Sequence, residues 1–105
     1  EKEVLIIASG NVVHNLALVD WEMQGGHRWA EVFDAFIKQK VMAKDYRAVM
    51  DYKQAGESAR LAFFTPDHFY PLLYAIGAAG NDDRLTVFNE GCTLGALSMT
   101  SYLWK

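Results

Sequence analysis

Three rhythms of apolar and polar residues run along this chain. The first is a continuous apolar run, Val4-Leu5-Ile6-Ile7-Ala8. Branched residues without alternation predict a strand covered on both faces, as in a parallel sheet. Ser9-Gly10-Asn11 ends it with turn chemistry. The second rhythm follows Gly25-Gly26. Trp29, Val32, Phe33, Phe36 and Ile37 recur at helical spacing, with Glu31, Asp34, Lys38 and Lys40 largely off the stripe. This predicts the clearest amphipathic helix of the chain. A shorter helix is expected from Asp45 to near Lys53, with Tyr46, Val49 and Met50 facing inward and Gly56 as its stop.

Thr65-Pro66-Asp67 has the composition of a helix start: a Thr cap, Pro at the first helical position and an acid in the first turn. Pro71 cannot donate to the carbonyl of Asp67. A short turn over 66–70 is therefore expected, then a helix from Pro71 to Ala79, with Gly80 and Asn81 as the exit. The third rhythm is alternation. Arg84 to Asn89 predicts a strand, and so does the stretch in which Leu97, Met99, Ser101 and Leu103 alternate with Ala96, Ser98, Thr100 and Tyr102. The order strand, helix, helix, helix, strand, strand places the chain in the α/β or α+β class. No internal repeat or low-complexity segment interrupts it.

Composition narrows the functional classes. A length of 105 residues suits one small domain, and 51% hydrophobic residues can supply a core. With 22% charged residues and many aromatics, the chain does not resemble a disordered segment. The net charge of -3 comes with no Lys/Arg cluster, which argues against a nucleic-acid surface. No stretch approaches the roughly 18 apolar residues of a membrane span. No basic segment leads into an apolar run and cleavage site, so no secretory signal is expected. The lone Cys92 matches no zinc-ligand spacing and is expected to be a small buried hydrophobe. A reducing, cytoplasmic setting is the default. The chain starts without Met, as a piece of a longer chain or a processed terminus would.

Candidate chemistry rests on three histidines, His14, His27 and His68. Imidazole is the usual metal ligand and proton shuttle near neutral pH. Taken alone, each is more often structural. His14, however, follows the turn after a predicted buried strand, where open sheets bind ligands. His68 lies in the first turn of a helix beside Phe69, Tyr70 and Pro71, aromatics that suit either an aromatic ligand or an ordinary core. His27, after two glycines, keeps the structural reading. Gly77, Gly80 and Gly91 fit no phosphate-binding loop. Ser9 lacks the nucleophile elbow. The pair Asp82-Asp83 is expected to cap a turn.

Four segments carry a family resemblance. Ser9-Gly10-Asn11-Val12-Val13-His14-Asn15-Leu16 resembles the S-G-N-x-x-H-N-L motif of the 4,5-DOPA extradiol dioxygenase family, which are class III extradiol ring-cleavage enzymes. Thr65-Pro66-Asp67-His68-Phe69-Tyr70-Pro71-Leu72-Leu73 is similar to its T-P-[ED]-H-[FY]-x-P-L segment. Tyr74 to Gly80 resembles its apolar-G-A-A-G stretch, and Leu94 to Tyr102 its closing G-x-L-S-M/Y-x-S-Y strand. The matches occur in order across nearly the whole chain. Each is weak alone, and together they are specific.

The resemblance implies a fold: the C-terminal part of a class III extradiol dioxygenase-like α/β domain, a mixed sheet flanked by helices. Residues 1–105 would form one segment of the catalytic domain of a longer parent. It also implies a non-haem Fe(II) enzyme, with zinc able to occupy the site, that opens a catechol such as DOPA beside the diol using O2. His68 would be a metal ligand, and His14 either a ligand or the acid–base group beside the metal. Further histidines would come from the missing N-terminal half, so this chain alone would be inactive. Glu90, the nearby acid in the last strands, is not supported as a ligand. Ring opening needs a proton taken from the diol and another returned, and an imidazole, ordinarily titrating near about 6.5, can do both. His14 is the candidate for that role. A homo-oligomer is left open. The competing reading is a non-catalytic zinc-binding or structural domain in which His14 and His68 only pack or bind zinc.

Overall fold

The computed structural model describes residues 4–105, so the first three positions of the expected 1–105 segment lie outside the described residues. The described chain is a small mixed α/β domain. Its helices are α1 (Arg28–Met42), α2 (Tyr46–Met50), α3 (Glu57–Ala62) and α4 (Tyr70–Ala78). Single 3-10 turns lie at Leu16–Leu18, Tyr52–Ala55 and Pro66–His68. The strands are β1 (Leu85–Phe88), β2 (Cys92–Thr93), β3 (Leu97–Ser98) and β4 (Ser101–Trp104). No helix among the described residues is long and apolar enough to cross a membrane.

Helix α1 forms where the stripe predicts it. His27 is its N-cap residue, and Glu31 reaches back to accept the Gly26 N–H at 3.1 Å. The buried line is Ala30, Phe33, Asp34, Ile37 and Val41, while Val32 is exposed. The expected Asp45–Lys53 helix is shorter. Asp45 caps α2 by accepting the Ala48 N–H at 3.3 Å, and a 3-10 turn follows. Val49 is buried and Tyr46 half-buried, but Met50 points outward at 61% exposure. Gly56, with φ +79°, ends the 3-10 turn and leads into α3. Helix α3 has no counterpart in the sequence reading, because its inward residues Ser58, Ala59 and Ala62 are too small to mark a stripe. The turn at Pro66–His68 followed by α4 agrees with the expectation set by Pro71. This proline sits in the first turn of α4, where no intrahelical donor is needed.

The strands differ more. The alternating segment 84–89 forms β1, antiparallel to β4 with Leu85 opposite Trp104 and Phe88 opposite Ser101. The single strand expected over 96–103 is broken into β3 and β4 at Met99-Thr100. Strands β2 and β3 form a second antiparallel pair. Single bridges join His14 to Leu97 (antiparallel) and Gly26 to Gly95 (parallel). Instead of one mixed sheet, the described residues form two short ladders. Left-handed backbone at Asn89, Gly91, Leu94 and Gly95 interrupts any longer strand.

The largest departure is Val4 to Ala8, which is neither a strand nor buried. Val4, Leu5, Ile6 and Ile7 are 68%, 79%, 58% and 80% exposed. A doubly covered strand needs hydrogen-bonding neighbours, and no described strand pairs with this one.

The core centres on an aromatic cluster. Phe33 of α1 meets Phe63, just after α3, at 6.0 Å between ring centroids, and Phe69 at 6.1 Å. Tyr52 closes against Phe63 at 5.4 Å and Phe69 at 5.0 Å. Burying each such ring is worth roughly 1.5–3 kcal/mol. Cys92 joins the core as expected, and burial, with the carboxylates of Asp34 and Glu31, pushes its thiol up to about 12.

Within this core lies one acid. Asp34 falls on the line Ala30, Asp34, Ile37, Val41 and is 8% exposed. Its two carboxylate oxygens accept from the Ser98 hydroxyl at 2.5 Å and the Thr100 hydroxyl at 2.6 Å. Burial raises its pKa above the ordinary 3.8 and outweighs these two hydrogen bonds, which lower it. The network ties α1 to the break between β3 and β4. Asp34→Ala is expected to destabilise the fold by about 2–3 kcal/mol, because two buried hydroxyls lose their acceptor. The raised folded pKa means that the acid's contribution is complete below 3.8 and is lost as pH rises through the folded value. Urea unfolding across that range should therefore show wild type losing stability relative to Asp34→Asn as pH rises. A pH-independent difference would contradict this account.

Candidate functional site

The loop from Gly10 to Asn15 is fixed at almost every residue. Gly10 packs so closely on the turn at 66–68 that a Cβ there would stand 2.2 Å from the His68 carbonyl oxygen. Asn11 donates its backbone N–H to that same oxygen at 2.8 Å and its side-chain amide to the Ser98 carbonyl at 2.7 Å. Val12 and Val13 are buried, and the Val13 carbonyl accepts the Ser98 N–H at 3.0 Å. The His14 N–H donates to the Ala62 carbonyl at 2.8 Å. Asn15 is buried. Its amide donates to the Leu61 carbonyl at 2.8 Å, and its side-chain oxygen accepts from the Ala17 N–H at 3.2 Å, capping the turn at Leu16–Leu18. The loop thus binds the end of α3, the turn before α4 and strand β3 together.

His68 is positioned from the other side. Pro66 opens the 3-10 turn, and Phe69, fully buried in the aromatic cluster, anchors its end. The neighbouring His68 is left exposed. Its ring lies on that of His14 with centroids 3.8 Å apart and planes 6° from parallel. The structure therefore brings these two candidates together. Beside them, the Asp67 Oδ2 is 3.3 Å from His68 Nδ1, and the Asp67 Oδ1 accepts from the Thr65 hydroxyl. The Thr65 bond first, then the residue's own backbone N–H, holds the Asp67 carboxyl below its usual range, with His68 and His14 adding smaller contributions.

The other candidates lie elsewhere. The His27 ring stacks on Trp29 at 5.8 Å, stands 3.2 Å from the Leu18 carbonyl and packs against Gly95. Asp83 accepts the Gly80 N–H at 2.7 Å, closing a turn as expected for the acidic pair Asp82-Asp83. Glu90 pairs with Lys38.

Among the described residues, no three His, Cys, Asp or Glu side chains converge so as to hold a metal ion. His14 and His68, whose rings lie together, are the side chains here that would offer ring nitrogens to a metal ion, and imidazole nitrogen is a usual ligand for such ions.

His68 also lines a groove of about 550 Å³. Its walls are Val4 to Ala8, the α4 residues Pro71, Leu72 and Ala75, and the β4 residues Tyr102 and Trp104. Among the described residues the buried Tyr102 hydroxyl has no hydrogen-bond partner, and burial raises its pKa.

Comparison with known proteins finds similarity to 4,5-DOPA dioxygenases. The 4,5-DOPA dioxygenase extradiol of Escherichia coli K12 is 33% identical over 105 positions, covering 96% of this chain and 38% of that protein. The Beta vulgaris protein of the same name is 31% identical, covering 97% of this chain and 38% of its own length. A crystal structure of an uncharacterized protein from Escherichia coli K12 superposes with a TM-score of 0.79 at 35% identity, over 90% of this chain and 40% of that one. No protein-family model matches the chain. The chain is thus homologous to a portion of the 4,5-DOPA extradiol dioxygenases and spans somewhat over a third of their length.

The close approach at Gly10 gives a direct test of how the pair is held. Gly10→Ala must displace the turn at 66–68, because the clash is with backbone rather than a flexible side chain. A loss of roughly 1–3 kcal/mol in unfolding free energy is expected, together with chemical-shift changes in both His14 and His68 rings. An unchanged stability with unmoved imidazole signals would show that the contact does not position the pair.

Proposed function

We propose, taking that homology as premise, that this chain is the C-terminal part of the catalytic domain of a longer extradiol ring-cleaving dioxygenase. The parent would be a cytoplasmic, Fe(II)-dependent enzyme that opens a catechol such as DOPA with O2, zinc being able to take the iron's place. The observation that carries the reading is the stacked pair of His14 and His68, each delivered by a segment that resembles a family motif. A chain that spans 38% of those relatives' length fits a segment that contributes only part of a metal centre. The remaining ligands would come from the missing N-terminal half, and this chain alone would be inactive.

Iron, when bound, would supply the redox chemistry with O2 and the catechol. This chain's residues do the rest. His68 offers one ring nitrogen as a ligand. His14, held by its backbone bond to Ala62 and its bridge to Leu97, keeps its ring against the face of His68. There it can take a proton from a diol hydroxyl and return it later. The exposed run Val4 to Ile7 borders the same groove, as a surface covered by the rest of a larger domain would. The competing reading, a non-catalytic or zinc-binding domain, predicts no ring opening by the parent.

The test is made on the complete parent chain, supplied with Fe(II), O2 and a catechol, by following the ring-opened product and the bound metal. His14→Ala should keep its metal and lose roughly 10²–10⁴-fold in turnover, the usual worth of a positioned acid or base. His68→Ala should lower metal occupancy, with partial rescue by excess Fe(II). A ligand acts in the resting state and a proton shuttle mainly in the transition state, so retained metal separates the two roles. If His14→Ala loses the metal as fully as His68→Ala, both histidines coordinate and the division is wrong.

A further inference from the structure

Thr65, Asp67 and His68 form a short chain of contacts beside the stacked pair. The Thr65 hydroxyl donates to Asp67 Oδ1, which leaves Oδ2 facing His68 Nδ1 at 3.3 Å. Pro66 and the 3-10 turn hold the three residues in one rigid bend. The stack against His14, at 3.8 Å, keeps the His68 ring from rotating freely.

A neutral imidazole carries its proton on one nitrogen and a lone pair on the other, and the partner of one nitrogen decides which. At 3.3 Å the carboxylate is slightly beyond usual hydrogen-bond range. Electrostatics still choose between the tautomers. A lone pair on Nδ1 would face a negative oxygen and be repelled, whereas an N–H there is attracted. We propose that Asp67 is a positioning residue: it fixes His68 as the Nδ1–H tautomer and thereby leaves the Nε2 lone pair as the free donor. Thr65 acts through Asp67, occupying the oxygen that would otherwise compete. Such carboxylate–imidazole pairing orients a histidine and makes its other nitrogen a better donor. The inference deepens the function proposed above. Its readout does not depend on that function, because a tautomer can be measured with no metal and no substrate.

The experiment is nitrogen-15 NMR of the 105-residue chain at a pH where His68 is neutral, using long-range couplings between ring protons and ring nitrogens. The expected pattern for His68 is a pyrrole-type Nδ1 and a pyridine-type Nε2. Asp67→Ala should shift His68 toward the Nε2–H form that an exposed imidazole ordinarily prefers. Thr65→Val, which keeps the carboxylate but frees Oδ1, should give a smaller shift in the same direction. A predominantly Nε2–H His68 in the unaltered chain would overturn the proposal, even if neither variant folds. So would an Asp67→Ala variant that keeps the Nδ1–H pattern. Loss of activity in the parent without a change of tautomer would contradict this role for Asp67 while leaving the proposed function standing.

Discussion

The carbonyl oxygen of His68 is the point on which the site depends. It receives the Asn11 N–H and lies where a side chain on Gly10 would have to go. Two segments more than fifty positions apart are thereby docked backbone to backbone, and the imidazoles they carry are left face to face. Backbone contacts of this kind tolerate little displacement. A side chain can turn away from a clash, but a peptide group whose N–H is bonded to the Pro66 carbonyl and whose oxygen accepts from Asn11 cannot. The pairing of His14 with His68 is therefore a consequence of the main-chain path rather than of any attraction between the rings.

The rest of the molecule supports that docking. The aromatic cluster of Phe33, Phe63, Phe69 and Tyr52 sets the distance between α1 and the turn before α4. Asp34, buried on α1, fastens that helix to Ser98 and Thr100, and Ser98 in turn meets the loop through its backbone. A buried acid with two hydroxyl donors is costly to desolvate but directional. It specifies how β3 and β4 meet the helix, a thing that apolar contact alone would leave loose.

Much of this is legible in the sequence. The stripe of α1, the break imposed by Pro71 and the alternation of β1 each follow from a single local rule, and each appears where that rule puts it. Position and motif single out His14 and His68. Other features depend on partners distant in sequence. Asp34 carries a charge beside an apolar stripe and looks like part of a solvated face, although its spacing from Ala30, Ile37 and Val41 places it on the inner line. Helix α3 hides because alanine and serine mark no stripe. Met50 faces outward because α2 ends after five residues, before its periodicity can decide. The strand expected at Val4 to Ala8 fails for the opposite reason: its residues have the right character, and the described chain offers no neighbouring strand to pair with them.

The central claim is that the backbone docking of residues 10–11 onto the His68 turn holds the two imidazoles in contact. The most direct test is a nuclear Overhauser measurement between the ring protons of His14 and His68 in the 105-residue chain. With centroids 3.8 Å apart, strong cross-peaks between the two rings are predicted. Their absence, with each ring showing cross-peaks only to its own surroundings, would contradict the account.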